Sequence, residues 1–222
     1  MRKSSEFRDS ISKGGAFDIE SGRYHLYISH ACPWAHRTLI MRTLLGLEDH
    51  ISVDVVDWRM NADGSWSFNP DEEGATADTV NGESSLEGIY NRAFEGWNES
   101  RSIGTVPVLW DKKHATIVNN ESREIIRMFD QFSKEGFGNG ATLCPPELMQ
   151  EIDNMIDANY ESINNGVYKS GFARTQEAYD EAVTALFERL DQLEAHLDGR
   201  EWLVGEDKGQ LTEADICLFT PL

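Results

Sequence analysis

The sequence predicts two domains of different class, an α/β domain in the first half and an all-α domain in the second. Up to about residue 133, short strand-like apolar runs alternate with segments of helical spacing. A linker over 134–146 contains two consecutive prolines, and beyond it the apolar residues recur only at helical spacing. At 222 residues, 40% of them hydrophobic, the chain is long enough to bury a sizeable core.

The α/β half opens with a strand, a helix and a second strand. Residues 23–28 include two tyrosines and an isoleucine, aromatic and β-branched types that predict a strand. Pro33 is suited to the first turn of a helix over 33–46, which Gly46 is suited to end. Residues 51–56 then predict a second strand. A βαβ unit of this length implies that its two strands pair in parallel.

A long polar segment, 60–103, follows this unit. It is too long for an ordinary loop in a compact domain, and such segments are usually functional or disordered. We therefore interpret it as an insert in the α/β domain. Two aromatic clusters interrupt it: Trp66 with Phe68, and Tyr90 with Phe94 and Trp97.

A hairpin and a helix complete the α/β half. Residues 105–110 and 115–118 predict the two hairpin strands, with Pro107 confined to an edge or a strand start. Residues 119–122 are typical of a helix cap, and apolar residues at helical spacing follow them. The order β-α-β-insert-β-β-α matches a thioredoxin-like fold over residues 23–133, preceded by an N-terminal extension.

The second half, 147–222, is predicted to be helical. Segments 147–165 and 175–198 carry apolar stripes at i, i+3 and i+4 spacing. Thr212 opens a pattern typical of a capping box, so we expect one more helix after it.

Cys32 carries the clearest chemical signature. It lies where the first strand meets the helix that Pro33 opens, so backbone N–H groups and the helix dipole favour its thiolate. Position 35 is Ala, and no Cys-x-x-Cys disulfide can form. The pattern predicts a single nucleophilic thiol that takes its second thiol from a partner molecule. The alternative interpretation is that Cys32 is a small buried apolar residue, as cysteines often are.

Charge and cysteine content narrow the function classes. Asp and Glu number 39 against 20 Lys and Arg, a formal net charge of −19. With no basic stripe, nucleic acid is excluded as a partner. The acidity is typical of a halophile's surface or of an ordinary acidic cytosolic protein. Three cysteines make no disulfide framework, and we find no leader peptide or membrane span; we expect a cytoplasmic protein with no membrane partner.

Five phrases along the sequence resemble the Xi class of glutathione transferases, the glutathionyl-hydroquinone reductases. They are RYHLY from Arg23, ACPWAHR from Ala31, VPVLWDK from Val106, NES with EIIRMF from Asn120, and NNGVY with GFA from Asn164. The resemblance implies a thioredoxin-like thiol-binding domain followed by a glutathione-transferase helical domain.

The resemblance also implies a reaction. Cys32 would take glutathione from a glutathionyl-hydroquinone as a mixed disulfide, and a second glutathione would regenerate it. Glutathione, or a related low-molecular-weight thiol, would be the co-substrate, with a quinone as the other substrate and no metal. Two alternatives stay open: a general thiol transferase of the omega or glutaredoxin type, and an inactive thiol-binding module.

Several residues acquire roles by resemblance. Ser122 and the N–H groups around it suit the γ-glutamyl carboxylate, and Glu121 suits its ammonium group. Val106, in a cis peptide bond with Pro107, would offer its backbone to the cysteinyl unit. Glu121 and Ser122 also suit a helix cap, and that interpretation stays open beside the first.

Three further positions are less constrained. Trp66 resembles a tryptophan that contacts glutathione, and Tyr168 resembles a tyrosine of the quinone pocket. Either residue could instead be a packing residue. An arginine of the insert is expected to contact the thiol; Arg101 and Arg92 both qualify, with Arg101 as our assignment.

The family continues past the helix predicted after Thr212. The resemblance therefore implies that the helical domain is incomplete and that the sequence is truncated at its C-terminus. Much of the family's dimer surface would then be missing, although a homodimer remains possible. We also expect an uncovered apolar stripe made of Val183, Leu186, Leu190 and Leu193.

Overall fold

The structure is a computed structural model of the protein and describes residues 5–97 and 104–222. It divides into two compact units, Met1–Ala141 and Thr142–Leu222. The finer limits given above, an N-terminal extension to residue 22 and a linker over 134–146, stay predictions.

The first unit is built on a sheet of four strands: Tyr24–Ile28 (β1), Ile51–Val55 (β2), Val108–Asp111 (β3) and Thr116–Asn119 (β4). Their order in the sheet is β2-β1-β3-β4. β1 pairs in parallel with β2 and antiparallel with β3, and β3 pairs antiparallel with β4. This is the predicted thioredoxin-like arrangement, with the parallel βαβ unit at one side and the hairpin at the other.

The predicted helices α1, Pro33–Leu44, and α3, Ser122–Lys134, are present in this unit. The insert holds an additional helix, α2, Leu86–Ala93, where the sequence indicated only a polar segment. Ser85 caps α2 by accepting the N–H of Gly88. Its buried side chains, Leu86, Ile89 and Tyr90, lie at i, i+3 and i+4. Because the helix has only about two turns, this apolar spacing was too short to be recognised in the sequence.

A buried ion pair joins β3 to the residue before β1. The Arg23 guanidinium donates to both carboxylate oxygens of Asp111, with Nε–Oδ1 at 2.8 Å and Nη2–Oδ2 at 2.6 Å. His114 Nδ1 lies 2.7 Å from Oδ2 of the same carboxylate. Arg23 precedes the first residue of β1, whereas Cys32 follows its last residue. The ion pair therefore lies at the end of β1 that is away from the thiol.

The second unit is helical, as predicted. Its helices are Met149–Asn159 (α4), Gly166–Gly171 (α5), Gln176–His196 (α6) and Glu213–Phe219 (α7), with a π-helical turn at Tyr160–Asn164. α6 packs against α5, and α4 packs against α7. Thr212 and Asp215 form the predicted capping box at the start of α7.

The expectation of an uncovered stripe on α6 is wrong for two of its four residues. Leu186 and Leu193 are buried, because α5 and the π-helical turn pack against α6. The large apolar side chains that α6 leaves exposed are Tyr179 and Phe187 instead.

Candidate active site

Cys32 is the N-cap residue of α1 and is half-buried. Its Sγ lies 3.5 Å from the carbonyl oxygen of Val106, which accepts the S–H. The Cys32 N–H donates to Ser29 O at 3.1 Å, and the Cys32 carbonyl accepts the N–H of His36 at 3.0 Å. The thiol therefore lies at the start of a helix, on a residue whose N–H and carbonyl groups are both hydrogen-bonded to the backbone. None of the three cysteines, all in the described part of the protein, is in a disulfide.

Ser29, which the sequence did not single out, organises the turn that carries Cys32. It is buried, and its Oγ accepts the N–H of Ala31 at 3.3 Å and donates to Asp57 O at 3.2 Å. Together with the carbonyl bond to Cys32, these contacts hold Ser29 through Cys32 in one conformation. Nothing in the sequence indicates this role, because the partner Asp57 lies 28 residues further along the chain.

Asp57 continues the network into the insert, towards Trp66. The Asp57 N–H donates to Ser67 O at 2.8 Å, and Trp66 O accepts the N–H of Leu86 at 2.9 Å. Trp66 itself is buried. The insert segment around Trp66 is thus bonded, through Asp57 and Ser29, to the turn that carries the thiol. Whether the Trp66 ring contacts a bound thiol stays a prediction.

Val106 is the predicted site residue that the structure brings next to Cys32. It is 5% exposed, and its peptide bond to Pro107 is cis, as the resemblance implied. Its carbonyl oxygen faces the Cys32 thiol, so the Thr105–Val106 backbone forms one wall beside the sulfur.

Glu121 and Ser122 lie at the start of α3. Glu121 is the N-cap residue, and its carboxylate accepts the N–H of Arg123 at 3.5 Å, which bears out the capping interpretation. Its other oxygen accepts the hydroxyl of Ser5 at 2.9 Å. Glu121 is half-buried, whereas Ser122 is fully buried, with its Oγ 3.5 Å from Glu121 Oε1. A role for either residue in thiol binding stays a prediction.

The two candidate arginines differ in what the structure says of them. Arg101 lies outside the described residues. Arg92 forms an ion pair with Glu83 and also donates to Asn81 O at 3.4 Å. The Arg92 guanidinium is therefore already engaged at the surface of the insert.

Tyr168 belongs to the second unit. It lies on α5, is half-buried, and stacks on Phe172 with ring centroids 6.2 Å apart. Phe172 is 76% exposed, so the pair presents aromatic surface to solvent. That Tyr168 faces a quinone stays a prediction.

The described residues offer neither a metal site nor a membrane-spanning helix. Within residues 5–97 and 104–222, no three or more His, Cys, Asp or Glu side chains are grouped so that they could hold a metal ion. Across the same part of the protein, no helix combines the length and the apolar character needed to cross a membrane.

The fold and the thiol at the start of α1 define a class of protein, which comparison with known families identifies. Residues 31–131 match the glutathione S-transferase N-terminal domain, and residues 176–222 match the glutathione S-transferase C-terminal domain. The chain therefore belongs to the glutathione S-transferase family, which makes it an enzyme of that family.

Individual relatives narrow the class. Over its whole length the chain is 47% identical to the glutathionyl-hydroquinone reductase PcpF of Sphingobium chlorophenolicum and 48% identical to YqjG of Escherichia coli, a glutathionyl-hydroquinone reductase as well. It spans 68% of the length of each.

Solved structures agree with these relatives. The glutathione-S-transferase Xi from Phanerochaete chrysosporium has a TM-score of 0.92 and 48% identity, over 100% of this chain and 74% of that one. The glutathione-bound structure of YqjG has a TM-score of 0.89 and 47% identity, over 97% of this chain and 70% of that one. These likenesses confirm the resemblance to the Xi class.

Proposed function

We propose that this enzyme is a glutathione-dependent reductase that removes glutathione from glutathionyl-hydroquinones. The observation that carries the proposal is a half-buried thiol, Cys32, at the N-cap of α1, with Ala35 where a resolving cysteine would lie. The same chain is 47–48% identical to two glutathionyl-hydroquinone reductases.

The reaction takes place in two steps: cleavage of the carbon–sulfur bond by the Cys32 thiolate, and then a thiol–disulfide exchange. The Cys32 thiolate attacks the sulfur of the glutathionyl-hydroquinone and forms the Cys32–glutathione disulfide. The bond between that sulfur and the ring carbon breaks with its electron pair on the carbon, which takes a proton and leaves as hydroquinone. A glutathione thiolate then attacks the mixed disulfide, releasing glutathione disulfide and the Cys32 thiolate. For each hydroquinone released, one free glutathione is consumed and one glutathione disulfide forms, so the ring is reduced while the two glutathione sulfurs are oxidised to the disulfide.

The glutathione moiety would lie along Val106, beside Cys32, and along the start of α3. Glu121 offers a half-buried carboxylate for the ammonium group, and the N–H groups opening α3 at Ser122 suit the carboxylate. The Val106 backbone, beside the sulfur, suits the cysteinyl unit. We assign the remaining contacts of glutathione to Trp66 and Arg101.

The quinone ring would meet aromatic surface that includes Tyr168, supported by its stacked, partly open position on α5. The thiol co-substrate is glutathione or a close relative, and no residue is assigned to a metal. We place the enzyme in the cytoplasm, because its thiols are kept reduced in that compartment.

Turnover of a glutathionyl-hydroquinone in the presence of glutathione tests the proposal, with chromatographic detection of hydroquinone and glutathione disulfide. Cys32→Ser and Cys32→Ala should abolish both products, because the proposed mixed disulfide forms on the Cys32 sulfur. Cys144→Ala, at a buried cysteine of the second unit, is the matched control and should retain turnover.

Mass spectrometry adds a second readout. After incubation with glutathione disulfide, the intact protein should carry one glutathionyl group, located on the Cys32 peptide. Labelling mainly at Cys144 or Cys217 would contradict the assignment. Turnover of glutathionylated peptides without turnover of the quinol would favour a general thiol transferase, and retention on a glutathione matrix without turnover would favour a binding module.

A further inference from the structure

The hydroxyl group of Tyr90 uses its full hydrogen-bonding capacity inside the first unit. It donates to Thr105 O at 2.8 Å and accepts the Thr105 N–H at 3.3 Å and the Asn120 side-chain amide at 3.0 Å. Thr105 Oγ1 lies 3.3 Å away as well. A phenolic hydroxyl has one donor and two acceptor positions, and all are occupied here.

The two partners of Tyr90 immediately precede two segments of the candidate site. Thr105 is followed by Val106, whose carbonyl faces the Cys32 sulfur at 3.5 Å. Asn120 is followed by Glu121, the N-cap of α3. The Tyr90 hydroxyl oxygen on α2 thus connects the Thr105 backbone, beside the thiol, to the Asn120 side chain, just before α3.

We infer that Tyr90 is a positioning residue for thiol binding: its hydroxyl holds Val106 and Glu121 at the spacing that one bound glutathione must span. The inference rests on the proposed function and adds to it a residue that contacts no substrate. We call the Thr105–Val106 backbone the first arm of the site and Asn120–Glu121 the second arm. The physical basis of the inference is pre-organisation, since arms that are already held in place lose less conformational freedom when glutathione binds.

The position of the hydroxyl is itself well determined. Tyr90 is fully buried, and its ring packs against Trp97 at 4.7 Å and, edge-on, against Phe7 at 5.7 Å between centroids. Gly104 leaves room for the ring, because a Cβ there would lie 3.0 Å from a Tyr90 ring carbon. The ring therefore cannot move away without disturbing its neighbours.

The second arm is clamped by the N-terminal segment. The Phe7 N–H donates to Asn120 Oδ1 at 3.2 Å, and the Asn120 N–H donates to Phe7 O at 3.1 Å. These bonds orient the amide so that its NH₂ group points at Tyr90. Burial also raises the pKa of Tyr90, so the phenol keeps its proton and remains a donor to Thr105 at neutral pH.

Tyr90→Phe tests the inference, because it removes the hydroxyl and keeps the ring. We expect the dissociation constant for glutathione, measured by calorimetry, to rise about tenfold. That is the effect of losing one or two hydrogen bonds that hold the site in its binding conformation before glutathione arrives. The KM for glutathione should rise in parallel, while kcat at saturating glutathione changes less than about twofold. A residue that served only stability would not produce this split.

Tyr24→Phe is the matched control. Tyr24 is also fully buried, and its hydroxyl donates to Asp18 O at 2.7 Å, beyond the end of β1 away from Cys32. It should lower the melting temperature and leave glutathione affinity unchanged. If Tyr90→Phe binds glutathione as tightly as the unmodified enzyme, the inference is overturned.

A second variant covers the case in which Tyr90→Phe does not fold. Asn120→Ala removes the amide that donates to Tyr90, together with the oxygen that accepts the Phe7 N–H, and it should also weaken glutathione binding. Unchanged affinity in that variant would overturn the inference. Failure of the unmodified enzyme to bind glutathione would instead overturn the proposed function, so the two results are distinguishable.

Discussion

Glu121 combines two demands at a single residue. As the N-cap of α3 it accepts a backbone N–H, and as a half-buried carboxylate it is the group that we assign to the glutathione ammonium. Capping requires only an oxygen acceptor, whereas binding an ammonium group gains most from a full negative charge. The two roles can therefore be separated by removing the charge and keeping the oxygen.

Glu121→Gln should weaken glutathione binding by roughly 1–3 kcal/mol, the scale for a hydrogen bond to a charged group, with little change in melting temperature. Calorimetry and thermal melts give the two quantities. Thr175→Ala, which removes the side-chain cap of α6 in the second unit, is the control and should lower stability by about 1 kcal/mol without changing affinity. Full affinity in Glu121→Gln would mean that Glu121 is only a cap.

The β1–β3 pairing depends on a buried charge pair near one end of the sheet. Burial of Asp111 opposes its ionisation, but the Arg23 guanidinium, the Lys113 N–H and His114 together hold the pKa of the carboxyl below its usual value. Because the folded pKa is lowered, this contribution to stability is present above the unfolded pKa of about 3.9. It is lost as the pH falls through the lower, folded pKa.

Asp111→Asn keeps the shape of the side chain and leaves Arg23 buried without its counter-charge. We expect it to lower the free energy of unfolding by about 3–5 kcal/mol at neutral pH. The difference between the two proteins should shrink as the pH falls below about 4, because the unmodified enzyme then loses the same contribution. Urea unfolding followed by circular dichroism across this range measures it, and a difference independent of pH would contradict the argument.

At the scale of the whole molecule the dominant property is charge. A net charge of −19 on 222 residues makes the folded protein repel itself, most strongly where salt does not screen it. Twenty Lys and Arg residues against 39 Asp and Glu residues leave 19 acidic charges in excess. A homodimer, which the resemblance to the Xi class leaves open, stays a prediction at this scale.

The melting temperature should therefore rise with ionic strength between about 10 mM and 1 M, over which the screening length falls from about 30 Å to 3 Å. Calorimetric melts in sodium chloride and in lithium chloride at equal ionic strength check that screening is the cause. A rise that continues to molar salt would favour the halophile interpretation, and one that stops below about 0.2 M would favour an ordinary acidic protein. No rise at all would contradict the repulsion argument.

The sequence by itself determined the features that neighbouring residues control. The strand before Cys32, the helix that Pro33 opens and the capping box at Thr212 all depend on spacing within a few residues. The thiol, the absence of a resolving cysteine at Ala35 and the family phrases were visible for the same reason. Periodicity and capping are local properties of the backbone, so they can be read along the sequence.

Only the tertiary structure decided which distant groups meet. Tyr90 is hydrogen-bonded to Asn120, 30 residues away, and Ser29 to Asp57, 28 residues away. In neither pair does the sequence around one residue indicate its partner. The same is true of the burial of Leu186 and Leu193, which follows from helices packed against α6. Such contacts depend on the path of the whole backbone, because a hydroxyl or an apolar side chain shows its partner only when folding places the two together.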